Sequence, residues 1–180
     1  MYQFLNVHPQ GKLVGDCVKR AITKATGMDY HEVQLELNRH KRITGAKTFN
    51  EDKNWKSYVE NVLNGVKLSF PAKAGQPRMN GERFCKAYPK GNYILNMAGH
   101  LSCCVDGVIY DTWNCESKCC YTAYEIKPQI KNCFKVSKVR NEDRYDIEVI
   151  EGTEVKIFEA TKAELKGMIK CLELMHFERR

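Results

Sequence analysis

The strongest constraint on this chain is a change of hydrophobic period near its middle. Up to Leu63 the apolar residues recur every three or four positions, as a helix with one buried face requires. From Asn92 they fall instead into short runs of strand length: Tyr93–Met97, Leu101–Val105, Val108–Thr112 and Tyr121–Ile126. Asp106–Gly107 lies between two of those runs, and an Asp-Gly link matches the right-handed twist of two paired strands. The expected class is α+β, with helices first and an antiparallel sheet after them.

Three helices are predicted in the first half. Asp16 is placed to cap one that starts at Cys17, carries Val18, Ala21, Ile22 and Ala25, and stops at Gly27. Asp29 followed by Glu32 makes a capping-box-like start for a second, running through Val33 and Leu37. Trp55, Tyr58, Val59, Val62 and Leu63 give the buried face of a third, ended by Gly65. Beyond Pro71 a loop rich in Gly, Pro and Lys leads to a short helix over Glu82–Tyr88.

Residues 135–180 read as an extension to a core of residues 1–134. Tyr145–Ile150 and Glu154–Phe158 flank Glu151–Gly152 as a second hairpin. Thr161 with Glu164 then opens a final helix bearing Leu165, Met168, Ile169, Leu172 and Met175. So short a segment buries little surface alone, and it is expected to pack on the core.

Composition narrows the setting. Lys and Arg outnumber Asp and Glu by 29 to 22, a net charge of +7, but the excess is dispersed. The densest basic run, Arg39–His40–Lys41–Arg42, closes the second helix, where cations complement the helix dipole; nucleic acid is not the expected partner. No stretch approaches the roughly 20 apolar residues of a membrane span. Met1–Leu13 has no secretory pattern, so the expected location is the cytoplasm. Nine cysteines in that compartment read as reduced thiols, each to be weighed as core filler, metal ligand or nucleophile.

One of them stands apart. Cys17 follows Gly15 and opens a helix, where the positive end of the helix dipole favours a thiolate. With Asp106–Gly107 as a two-residue turn, Val105 pairs with Val108 and His100 lies opposite Trp113. Asp111 is then a diagonal neighbour of His100 on the same face, within reach of its ring. Cys17, His100 and Asp111 can thus serve as nucleophile, general base and orienting carboxylate for attack on a carbonyl.

The same residues carry a resemblance. The stretch Val7-His-Pro-Gln-Gly-Lys-Leu-Val-Gly-Asp-Cys-Val-Lys-Arg-Ala-Ile22 resembles the opening of small papain-like cysteine peptidase-type proteins, often encoded by bacteriophages. Gly91–Leu95, Gly99–Leu101 and Asp106–Trp113 resemble the His-bearing hairpin of that family. The resemblance covers residues 7–125 and implies a papain-like fold, with Cys17 as nucleophile, His100 as base and Asp111 as third member. It also points to Gln10 as an oxyanion donor and makes Asn114 a rival to Asp111, although the pairing turns Asn114 away from His100. Trp113, on the face of His100, would wall the site or serve as ordinary hairpin core.

The expected function is a cysteine-dependent hydrolase acting on a protein or peptide, with no metal or organic cofactor. The same triad supports two alternatives that the sequence leaves open: acyl transfer of the transglutaminase kind, or deamidation. A third is a phage-encoded binding protein that keeps the fold without turnover and engages a host protein or nucleic acid. A zinc reading of Cys115, Cys119 and Cys120, with Cys103, Cys104 and Cys133, lacks a second well-spaced pair. Cys103 and Cys104 are moreover expected on opposite faces of one strand.

Overall fold

The computed structural model describes residues 1–127, 133–139, 143–151, 154–174 and 178–179. The chain divides into two compact units, Met1–Gln129 and Ile130–Arg180.

In the first unit a short strand β1 (Tyr2–Phe4) precedes three helices, α1 (Cys17–Thr26), α2 (Tyr30–Thr44) and α3 (Asp52–Asn61). Then come β2 (Val66–Ser69), α4 (Gly81–Ala87), β3 (Asn92–Met97), β4 (His100–Val105), β5 (Val108–Asp111) and β6 (Cys120–Ile126). The strands form one six-stranded sheet in the order β1-β5-β4-β3-β6-β2. The pairs among β2 to β6 are antiparallel, but β1 runs parallel to β5, so the sheet is mixed and not purely antiparallel. Neither β1 nor β2 is among the predicted strands, although Tyr2-Gln-Phe4 and Val66-Lys-Leu-Ser69 alternate apolar with polar; both are short edge strands held by backbone hydrogen bonds.

The hairpin register follows the turn. Val105 pairs with Val108, Cys104 with Ile109 and Cys103 with Tyr110. Asp106 and Gly107 have φ of 48° and 75°, as a two-residue turn of the twist-matching kind demands. Leu101 and Cys103 face the helices, in a core with Val18, Ile22, Leu37, Trp55 and Tyr58. Cys104 and Ile109 face the other way, packing with Phe84, Leu95 and Met97 beneath α4. The sheet is therefore covered on both faces, and the two adjacent cysteines do point apart.

Local signals act in part as expected. Asp29 caps α2, its carboxylate accepting from the amides of His31 and Glu32. Asp16 makes no side-chain cap to α1, because its carboxylate is engaged elsewhere. Helix α3 ends at Asn61, ahead of the predicted stop; Asn64 takes the left-handed conformation, and Gly65 leaves no room for a Cβ against Val59 and Ile126. Leu63 stays buried all the same. In the basic run, His40 is buried against Ser57, so the run is not a continuous charged surface.

The second unit is a sheet ordered β10-β7-β8-β9, with β7 (Cys133–Lys138), β8 (Arg144–Glu151), β9 (Glu154–Thr161) and β10 (Glu178–Arg179). The predicted hairpin is β8–β9; β7 and β10 have no counterpart in the sequence reading. Helix α5 (Lys162–Leu174) opens with the expected box: the Thr161 amide and hydroxyl donate to Glu164 Oε2 at 2.9 and 2.7 Å. Its Leu165, Met168, Ile169 and Leu172 pack on Phe134, Ile147, Val149 and Ala160. Gly152 and Met175 lie outside the described residues. Among the described residues, no helix is long and apolar enough to cross a membrane.

Candidate active site

The first turn of α1 meets the start of β4 beside a cleft of about 660 Å³, lined by Cys17, Val18, Asn50, Asn96, His100 and Leu101 among others. Two sequence features bring the elements there. The apolar stripe Val18–Ala21–Ile22–Ala25 lays α1 on the sheet, and Gly99, with φ of 66°, makes the tight link from β3 into His100.

His100 Nε2 lies 2.7 Å from Asp111 Oδ2, with side-chain exposures of 10% and 4%. The carboxylate occupies Nε2 and leaves Nδ1 as the free ring nitrogen. Burial disfavours charge on His100, but hydrogen bonds with Asp111, Cys115 and Cys17 outweigh it and raise its pKa well above the ordinary 6.5. Burial likewise opposes ionisation of Cys17; the hydrogen bond from His100, the Leu101 backbone and the charges of His100 and Arg20 reverse this and lower its pKa. Asp111 is lowered too, its burial offset by hydrogen bonds from His100, Ser102 and Thr112. Each shift runs in the direction that favours an ion pair of Cys17 with His100 beside a charged Asp111.

The other thiols differ. Burial pushes Cys103 and Cys120 up. Cys85 and Cys104, sulfurs 3.6 Å apart, share a hydrogen bond that draws Cys85 down and pushes Cys104 up. Both members of that pair are buried, and neither lines the cleft. Cys17 alone among the described cysteines combines a lowered pKa with a place in the cleft.

The remaining predicted residues separate. Trp113 is 41% exposed, so it does not fill hairpin core; its ring centroid lies 5.1 Å from that of His100, but it is not among the residues that line the cleft. Asn114 is exposed and its Oδ1 accepts from the Glu116 amide at 3.0 Å, a local turn bond that takes it out of contention. Gln10 is exposed in a turn and does not line the cleft; the side-chain amides that do are Asn50, which donates to Gly15 O at 3.0 Å, and Asn96.

Several residues behind the site were not singled out from the sequence. Arg20 pairs with Asp16, lies 4.0 Å from Asp111 Oδ1 and donates to Val14 O at 3.1 Å. Asp16, 1% exposed, also accepts from the Tyr30 hydroxyl at 2.6 Å. The buried guanidinium thus ties the helix of Cys17 to the strand of Asp111. The i, i+4 spacing of Asp16 and Arg20 is visible in the sequence, whereas Tyr30 reaches them only through the α1–α2 packing. Ser102 was legible: the register that sets His100 opposite Trp113 sets Ser102 opposite Asp111.

For a metal, the described residues offer one set of three donors, His100, Asp111 and Cys115, all within 4.8 Å of one another. Cys103, Cys104, Cys119 and Cys120 do not join such a set. No protein-family model matches this chain, and neither the curated proteins nor the solved structures compared with it include a match.

Proposed function

We propose that this chain is a cysteine-dependent hydrolase of the papain-like kind, cleaving an amide or isopeptide bond in a protein or peptide. The observation that carries the reading is the convergence of Cys17, at a helix N-terminus on an open cleft, with a His100 whose far nitrogen is held 2.7 Å from Asp111. Electrostatics support it, because the shifts of all three groups favour an ion pair poised for attack. The order of elements, with the helix of Cys17 first and the strands of His100 and Asp111 later, supports the papain-like comparison.

In the proposed reaction Cys17 Sγ attacks the carbonyl carbon, and the negative charge on the carbonyl oxygen is met by amides of the first turn of α1, which have no partner within the helix. His100 gives its proton to the leaving amine as the carbon–nitrogen bond breaks, forming a thioester. Water then attacks the thioester, His100 takes its proton, and the acid product leaves with the thiolate restored. Asp111 holds the ring in place and stabilises its charge throughout.

The test is alkylation with iodoacetamide at pH 6, where ordinary thiols react slowly, followed by peptide mass mapping. Selective labelling of Cys17 that disappears in His100→Ala is the expected result. Uniformly slow labelling of every cysteine would refute the activated nucleophile, and with it the hydrolase.

A further inference from the structure

The proposed reaction leaves one buried thiol at the site without a task. Cys115 Sγ stands 3.7 Å from Asp111 Oδ2 and 3.5 Å from Ser102 Oγ. It is fully buried, and its sulfur lies within 4.8 Å of a ring nitrogen of His100. A core thiol needs no such company, since sulfur packs well against apolar groups. Here instead a ring nitrogen, a carboxylate oxygen and a sulfur converge within 4.8 Å.

We infer that His100, Asp111 and Cys115 form a zinc site. The site stands on its own geometry and is independent of the hydrolase reading. Tetrahedral zinc with bonds of about 2.0–2.2 Å to nitrogen and oxygen and about 2.3 Å to sulfur sets its ligand atoms roughly 3.3–3.6 Å apart. The 3.7 Å between Asp111 Oδ2 and Cys115 Sγ already fits that spacing. The 2.7 Å between Asp111 Oδ2 and His100 Nε2 must open by roughly half an ångström, so the metal and the His100–Asp111 hydrogen bond exclude each other.

The donor chemistry selects the ion. One thiolate and one carboxylate balance a divalent charge, and sulfur with imidazole favours zinc or cobalt over the oxygen-seeking magnesium and calcium. Three protein ligands leave the fourth position to water or to the Ser102 hydroxyl. Arg20 approaches the other oxygen of Asp111, at 4.0 Å, so Oδ2 stays available, while the nearby cation keeps binding weaker than in an all-anionic cage. Zinc binds the unprotonated Nε2 of His100 and the thiolate of Cys115, so binding releases protons and strengthens as pH rises.

The full-length chain carrying Cys17→Ser, which removes the nucleophile as a competing ligand, is titrated with cobalt(II) and then with zinc. The expected result is a thiolate-to-cobalt absorption band complete at one equivalent and bleached by zinc. Adding Cys115→Ser removes the band. Asp111→Asn, nearly isosteric, weakens cobalt binding at least tenfold and serves if Cys115→Ser fails to fold. Absence of the band, or a band that survives both changes at the site, would overturn the proposal. Cobalt bound through Cys115 beside an unreactive Cys17 would uphold the site and refute the hydrolase; a reactive Cys17 without cobalt binding would do the reverse.

Discussion

Replacing Asp111 by Asn removes one charge and almost no volume. The carboxylate lies 2.7 Å from His100 Nε2, both side chains at least nine-tenths buried. Two unit charges with centres about 4 Å apart attract by about 4 kcal/mol at an effective dielectric constant of about 20. An amide oxygen keeps a neutral hydrogen bond of about 1 kcal/mol, leaving a net loss of roughly 2–3 kcal/mol for the imidazolium. At 1.36 kcal/mol per pKa unit, that lowers the fraction of reactive Cys17 thiolate at pH 6 by roughly 30- to 150-fold. The assay is the rate constant for iodoacetamide at Cys17, read by peptide mass, with thermal melting as the control for folding. A rate within threefold of wild type, in a variant that melts as the parent does, would refute the claim that Asp111 holds the charge on His100.

Other consequences follow from the same geometry. Arg20→Met leaves Asp16 buried without its cation and is expected to cost about 3–5 kcal/mol in urea unfolding, part of it recovered by adding Asp16→Asn. Trp113→Ala removes a side chain already 41% exposed, so stability should change by less than about 1 kcal/mol, while water admitted to His100 slows Cys17 labelling by roughly 3- to 10-fold. Stability should also depend on pH at both ends. Asp111, lowered from 3.8, contributes stability that is present above that value and lost as pH falls through its folded pKa. His100, raised from 6.5, contributes stability that is full below 6.5 and lost as pH rises through its folded pKa. Urea unfolding across pH should accordingly lose its acid limb in Asp111→Asn and its alkaline limb in His100→Ala; limbs unchanged in both variants would contradict the assignment.

The amino-acid sequence by itself determined the parts of this protein that depend on neighbours along the chain. The 3.6-residue stripe of α1, the Asp29 cap of α2, the Thr161–Glu164 box of α5 and the Asp-Gly turn are all interactions within a few positions, so their signals are local. Because a two-residue turn fixes register, the meeting of His100 with Asp111 was legible as well, across a separation of 11 residues. Only the tertiary structure decided the rest. Edge strands β1 and β2 have 3 and 4 residues, so their apolar alternation is too short to mark a strand, and backbone bonds to distant partners decide them. Asp16 abandoned its cap because a buried cation and the Tyr30 hydroxyl compete for the same carboxylate, and water cannot satisfy the guanidinium there. The gathering of Arg20 and Cys115 around His100 and Asp111 is likewise a product of packing: burial decides which polar groups must find each other, and burial is a property of the folded chain.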